Sequence, residues 1–252
     1  MITDPWFFAA AIPAVLLFGI SKGGFGGGLG TLSVPLIALV ISPVQAAGIL
    51  LPILCLIDLV SLWAYRGKWV WSELRVLLPA SLLGIAVGTL LFGFMSGAVI
   101  RLIIGAVALA FTLHYMLHMR GAGNTAQNNV PRSLGAIGGA VAGFTSFVAH
   151  AGGPPISMYL LRRPLNRTDF VATTVLFFTV VNYTKLIPYA WLGQLDASNL
   201  STSLVLAPLA PIGVGIGVYL HKRVSDRFFF LTVYVLLAVV GAKLLWDGLS
   251  QL

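Results

Sequence analysis

Ser21-Lys22-Gly23-Gly24-Phe25-Gly26-Gly27-Gly28-Leu29-Gly30 interrupts an apolar run near the N-terminus and decides how the chain is read. Glycine at this density weakens a helix, each residue costing about 0.8–1 kcal/mol relative to alanine. In lipid, unsatisfied backbone groups cost more, so such a break belongs inside protein or beside a water-filled cavity. A helix restarting near Thr31 would aim free N–H groups and its positive dipole end into that cavity, and Lys22 adds a full charge. A phosphate-binding loop fits poorly, because no GxxxxGK[ST] pattern is present and the glycines follow the lysine. Tight helix packing by small residues stays open as an alternative.

The surroundings of this stretch make the membrane setting firm. The chain has 252 residues, 58% hydrophobic and 9% charged, with mean hydropathy +0.97. A soluble domain carries about a quarter charged residues, so lipid must solvate the apolar excess. The net charge of +8 is spread over short loops between apolar runs, which fits membrane anchoring and argues against a nucleic-acid partner. Cys55 is the only cysteine, so no intrachain disulfide or CxxC site forms. Met1–Pro5 has no basic region ahead of the apolar stretch, and no cleaved signal peptide is expected.

Ten apolar segments follow one another. The first five are Trp6–Ile20, Leu29–Ile41, Ala46–Ala64, Leu74–Phe94 and Ala98–Leu117. After the polar linker Arg120–Arg132 come Leu134–Val148, Pro155–Leu161, Phe170–Trp191, Leu200–Leu220 and Phe228–Leu245. The third, fourth and fifth of each set approach the ~20 residues needed to cross the hydrocarbon core. The first two of each set are shorter and predict a broken or re-entrant pair. The halves also match: Gly19 with Gly143, Ser33 with Ser157, Asp58 with Asn182 and Tyr65 with Tyr189, all 124 apart. Pro79 with Pro208, Gly84 with Gly213 and Gly88 with Gly217 follow at 129. This ordered run predicts a duplicated unit.

Loop charge predicts how the units are related. Arg66, Lys68 and Arg75 follow the third segment, whereas the matching loop Leu192–Asn199 holds Asp196 and no basic residue. Arg162, Arg163 and Arg167, and later Lys222, Arg223 and Arg227, have uncharged counterparts at Ser42–Gln45 and Met95–Gly97. Lys and Arg mark the cytoplasmic side, so matching loops face opposite sides. The expected fold is an all-α polytopic membrane protein of two inverted repeats, each with three full transmembrane helices plus a short broken or re-entrant pair. The repeats are residues 1–119 and 133–252, joined by a cytoplasmic linker 120–132, with both termini outside the cytoplasm. Arg101 is the exception to the charge rule.

His150-Ala151-Gly152-Gly153-Pro154-Pro155 stands where the second unit repeats the first break, and prolines suit the first turn of a helix. Two helix N-termini converging near the midplane suit an oxyanion, which accepts several hydrogen bonds at once. His150 either contacts the substrate, titrates, or is simply hydrogen-bonded in a turn. Asp58, Asn182 and Lys185 lie well inside the third spans, where charge costs at least about 2.5–3.5 kcal/mol and faces a cavity or a partner. The expected substrate-binding set is Lys22, Gly26, Gly27, Gly28, His150, Gly152, Gly153, Asn182 and Lys185. Asp58 is assigned to an ion pair with Lys22 or Lys185, or to proton coupling. No HExxH or GxSxG is present, and Glu73, the only glutamate, reads as a loop residue. Neither an enzyme, a cofactor nor a metal site is expected.

Gly19-Ile20-Ser21-Lys22-Gly23-Gly24-Phe25-Gly26-Gly27-Gly28, together with Gly143 and His150-Ala151-Gly152-Gly153-Pro154-Pro155, resembles the sulfite exporter TauE/SafE family over nearly the whole chain. The resemblance implies a plasma-membrane permease, in bacteria of the inner membrane, that moves sulfite, a sulfonate or a related organosulfur anion. Expected partners are that anion, the lipid bilayer and, as an option, further copies in a homo-oligomer. The alternative is a membrane assembly or sensor subunit that transports nothing.

Overall fold

The structure, a computed structural model, describes residues 1–26, 28–119, 130–221, 223 and 226–251. Gly27, residues 120–129 of the expected linker and Lys222 lie outside the described residues.

The described residues form helices and turns only. Helix α1 (Pro5–Gly24) starts on Asp4, whose carboxylate accepts from Trp6 N at 3.0 Å, with Pro5 in the first turn. A 3-10 turn (Gly28–Leu32) and the short α2 (Ser33–Ile37) follow. Helix α3 (Pro43–Ala64) is capped by Ser42 and α4 (Trp71–Phe92) runs through Pro79 without stopping. Next come α5 (Gly97–Met119), α6 (Arg132–Ala149), α7 (Gly153–Leu160) and α8 (Arg167–Trp191), the last capped by Asn166. Helices α9 (Ala197–Leu206), α10 (Leu209–Leu220) and α11 (Asp226–Leu249) complete the bundle.

Among the described residues, five helices are long and apolar enough to cross a membrane: α1, α3, α4, α5 and α8. The bent pair α9–α10 makes a sixth candidate among the described residues. Three expectations change. The first segment of each half is longer than expected: α1 has 20 residues, because it continues through Gly23 and Gly24, and α6 has 18, gaining Arg132, Ser133 and Ala149. The segment Leu200–Leu220 is not one helix but bends by 43° between Leu206 and Leu209. Pro208, which lacks an N–H and crowds the preceding turn, stands at the start of α10. Glu73 is also not a loop residue: it sits in the first turn of α4, buried.

Glycines set how close the helices come. Helix α1 crosses α10 so tightly that a Cβ on Gly19 would lie 2.9 Å from Gly213 Cα, and one on Gly217 would lie 3.0 Å from Gly23 Cα. Helix α4 crosses α6 alike: a Cβ on Gly139 would lie 2.7 Å from Leu77 O, and one on Gly84 2.8 Å from Phe144 N. Small residues permit this backbone approach, which is the packing expected between membrane helices. Helices α3 and α8 pack together in the centre, and α5 packs on α11 with Tyr115 and Tyr234 stacked at 4.1 Å.

The bundle has two chemically distinct ends. At one, Met1 N donates to Ser198 Oγ at 3.1 Å and Gln45 Nε2 to Asn199 Oδ1 at 3.3 Å. At the other, Glu73 accepts from Tyr159 Oη at 2.7 Å and Arg163 Nε at 2.9 Å, and Arg163 also donates to Val130 O at 3.3 Å. The loops carrying Arg66, Lys68, Arg162 and Arg163 meet at this second end. Arg101 is at the first end, where its guanidinium donates to Gln251 Oε1 at 2.5 Å.

Candidate functional site: a buried polar layer

Asp58, Ser61 and Tyr65 share one face of α3, and Asn182, Lys185 and Tyr189 share one face of α8, each at the i, i+3, i+7 spacing. These faces meet. Asn182 Nδ2 donates to Asp58 Oδ2 at 2.6 Å, a contact between two residues 124 apart in sequence. Lys22, in the last turn of α1, donates to Asp58 Oδ1 at 2.5 Å and lies 4.3 Å from the centre of the Phe178 ring. All three polar side chains are inaccessible to solvent.

The second cluster stands beside the first. Lys185 Nζ lies 2.9 Å from Ser146 O, 3.0 Å from Ser146 Oγ and 2.8 Å from His150 Nδ1. His150 Nε2 lies 3.0 Å from Ala47 O. A carbonyl only accepts, so Nε2 carries a hydrogen. His150 ends α6 with φ 51°, in the left-handed region. Two tyrosines brace the layer in the same way: Tyr65 Oη donates to Gly23 O and Tyr189 Oη to Phe147 O, each at 2.6 Å.

Lys22, Asp58 and Asn182 are thus joined in one chain of contacts, and Lys185 with His150 in the next. The break residues fall into separate jobs. Gly23 and Gly24 pack on Val214 and Gly217 of α10, so the packing reading holds for them. Gly26 turns the chain with φ 72°, and Gly28 begins the 3-10 turn. Gly152 and Gly153 bring α7 back against α6, where a Cβ on Gly152 would lie 2.7 Å from Ala142 O. Helix α2 has only five residues, so the dipole expected near Thr31 is small.

Sequence reasoning left Ser146 out of the site, although its place 124 residues after Lys22 was a usable signal. Ser61 is the second addition: wholly buried, its Oγ is the one buried side-chain polar atom without a partner among the described residues. A cavity of about 620 Å³ lies beside both breaks, lined by Gly24, Phe25, Pro154, Ser157, Arg162 and Arg167 among others. Arg162 and Arg167 of its lining belong to the basic loop after α7, and neither Lys22 nor Lys185 lines it. No group of three or more metal-ligating side chains occurs among the described residues.

The family model for sulfite exporter TauE/SafE matches residues 11–244. A probable sulfite/organosulfonate exporter TauE from Cupriavidus necator is 24% identical over 238 residues, spanning 92% of this chain and 87% of that protein. No solved structure matches the chain. With its bundle of apolar helices, this chain belongs to the sulfite exporter TauE/SafE family, a family of multi-pass membrane transporters rather than enzymes.

Proposed function

We propose that the protein is a secondary transporter, an exporter, of sulfite or an organosulfonate, working by alternating access with the anion held at the helix breaks near the midplane. The observation that carries this reading is charge. The buried layer holds Lys22 and Lys185 against one carboxylate, Asp58, so one positive charge has no fixed counter-charge. An uncompensated ion in an apolar bundle is costly, and a mobile anion supplies the missing partner. The matched relative, named as a sulfite or organosulfonate exporter, supports the choice of anion.

In this proposal the anion enters from the cavity at the basic end, passes the breaks at Gly26–Gly28 and Gly152–Gly153, and takes a hydrogen bond from Ser61. Lys22, Asn182, Lys185 and His150 supply the field and the remaining donors as their present contacts open. Two inverted repeats, 1–119 and 133–252, provide the alternation. The recurrence of tyrosine-to-carbonyl contacts at matching positions and the pairing of Asp58 with Asn182 support that relation. The basic end and the linker 120–132 then face the cytoplasm, with both termini outside, in a bacterial inner membrane.

The test is flux. Protein reconstituted in liposomes moves sulfite or methanesulfonate, and Lys22→Ala with Lys185→Ala abolishes the movement. If neither anion moves or binds, the transport assignment fails and a non-transporting assembly or sensor subunit replaces it. Topology is tested separately: in a Cys55-free background, cysteines at Lys68 and Arg163 label from the cytoplasm, and those at Ser198 and Gln251 from outside. Labelling of Lys68 and Ser198 from the same side would refute the inverted relation.

A further inference from the structure

We propose that Lys185 and His150 form a binding site for one exchangeable proton, and that this proton is bound and released together with the transported anion. The inference rests on the transport reading for its coupling role, and on hydrogen-bond chemistry for the site itself.

The contacts admit two arrangements of a single proton. In one, Lys185 is an ammonium that donates to Ser146 O, Ser146 Oγ and His150 Nδ1, while His150 is neutral and donates from Nε2 to Ala47 O. In the other, the proton has moved along the 2.8 Å contact to Nδ1, which also faces the Ser146 carbonyl at 3.2 Å. His150 is then the cation, donating from both ring nitrogens, and Lys185 is an amine that donates to Ser146 and accepts from the ring. Heavy atoms need not move between the two. A second proton would set an ammonium and an imidazolium 2.8 Å apart, with only neutral partners, Ser146 and Ala47, around them. Like charges that close disfavour double protonation. The pair therefore carries +1 or, after losing its proton to water, zero. That +1 is the charge that Asp58 leaves uncompensated.

The backbone points the same way. His150 is the one non-glycine residue with left-handed φ among the described residues, at a helix C-terminus where glycine is the usual solution. The chain accepts that conformation and keeps the imidazole. Tyr189 lies alongside, its ring 6.1 Å from that of His150 and its hydroxyl committed to Phe147 O. The other ionisable groups facing the pair are Lys22 on α1 and Cys55 and Asp58 on α3, and Asp58 is already engaged by Lys22 and Asn182. Helix α6 presents the Ser146 hydroxyl and carbonyl to Lys185, and the same carbonyl lies 3.2 Å from His150 Nδ1.

The sign of the coupling follows. The protonated pair attracts an anion and the neutral pair does not, so anion binding raises the proton affinity and deprotonation expels the anion. Isothermal titration calorimetry of the purified protein in nanodiscs measures this. Methanesulfonate is the probe, because it does not itself titrate, and two buffers of different ionisation enthalpy count the protons taken up. Wild type is expected to take up close to one proton per anion at alkaline pH, with Kd rising about tenfold per pH unit above the titration of the pair. Lys185→Arg fixes the charge and is expected to bind without proton uptake, with a flat pH profile. Binding by wild type with no linked proton, or an unchanged pH slope in Lys185→Arg, would overturn the inference. Nitrogen-15 spectra of the lysine and histidine side chains provide a measurement independent of the anion. His150 and Lys185 are expected to shift together in one step, and His150→Gly, which suits the left-handed backbone, should keep the fold while removing the coupled histidine signal. Two separate steps that leave both groups cationic would overturn the proton site. A one-step titration with no anion bound would instead sink the transport reading alone.

Discussion

The two halves of the polar layer use the same framework and place their charge differently. At matching positions 124 residues apart, the first half has Lys22, Asp58 and Ser61, and the second has Ser146, Asn182 and Lys185. In the first, the lysine stands on the helix that breaks and reaches to the central helix, α1 to α3. In the second, the lysine stands on the central helix and reaches to the helix that breaks, α8 to α6. Tyr65 and Tyr189 make the same contact in both. Geometry is thus shared and chemistry is not. The ion pair is closed in the first half, and the second half keeps a cation whose partners are all neutral.

The largest effect is expected where the closed pair is broken. Asp58→Ala leaves Lys22 buried without its carboxylate, and loss of one partner of a buried pair costs about 3–5 kcal/mol. Chemical denaturation in detergent measures it, and a loss below about 1 kcal/mol would mean that water reaches Lys22. The next effect tests the helix crossings. A side chain at Gly143 meets Ser81 O and its Cα, the latter at 2.8 Å, on a neighbouring backbone that cannot rotate away. Gly143→Val is expected to destabilise by about 1–3 kcal/mol, whereas Gly215→Ala, with open space around it, should be neutral or better.

Ser61→Ala separates function from stability. Its hydroxyl has no partner among the described residues, so unfolding should be unchanged within about 0.5 kcal/mol. Anion affinity should fall roughly tenfold or more, since a hydrogen bond to a charged group contributes about 1.5–3 kcal/mol. Unchanged affinity would remove Ser61 from the anion path. The smallest effects sharpen the comparison itself: Tyr65→Phe and Tyr189→Phe should each cost about 1 kcal/mol, and about equally. A large difference between them would show that the two braces do not carry the same load.

Composition and periodicity carried much of this protein. Scarcity of charge required lipid, glycine and proline marked the breaks near Gly26 and His150, and the spacing of 124 pointed to pairs of positions such as Asp58 with Asn182. These properties are local or additive along the chain, so they survive without coordinates. The length of α1 did not, because glycines that look like helix breakers are tolerated where a neighbouring backbone packs on them, as Gly23 and Gly24 are by α10. The break in α9–α10 was equally hidden. Pro208 bends its segment while Pro79, the matching residue, rides inside α4, and nothing in the dipeptides around them distinguishes the two.

By itself, the sequence determined that this is a multi-span membrane protein, that its chain breaks near Gly26 and His150, and which few polar side chains must find partners in the interior. Only the tertiary structure decided who those partners are. Asp58 had two lysines within reach of any reasonable topology, and packing gave it Lys22 and Asn182, leaving Lys185 to Ser146 and His150. The reason is physical: a buried charge must be matched, but the match depends on which helix faces approach to hydrogen-bond distance. That approach depends on small residues that let helices cross closely, Gly19 and Gly23 beside Lys22 on α1 and Gly139 and Gly143 beside Ser146 on α6. It depends equally on the backbones of α10 and α4 that they meet far along the chain.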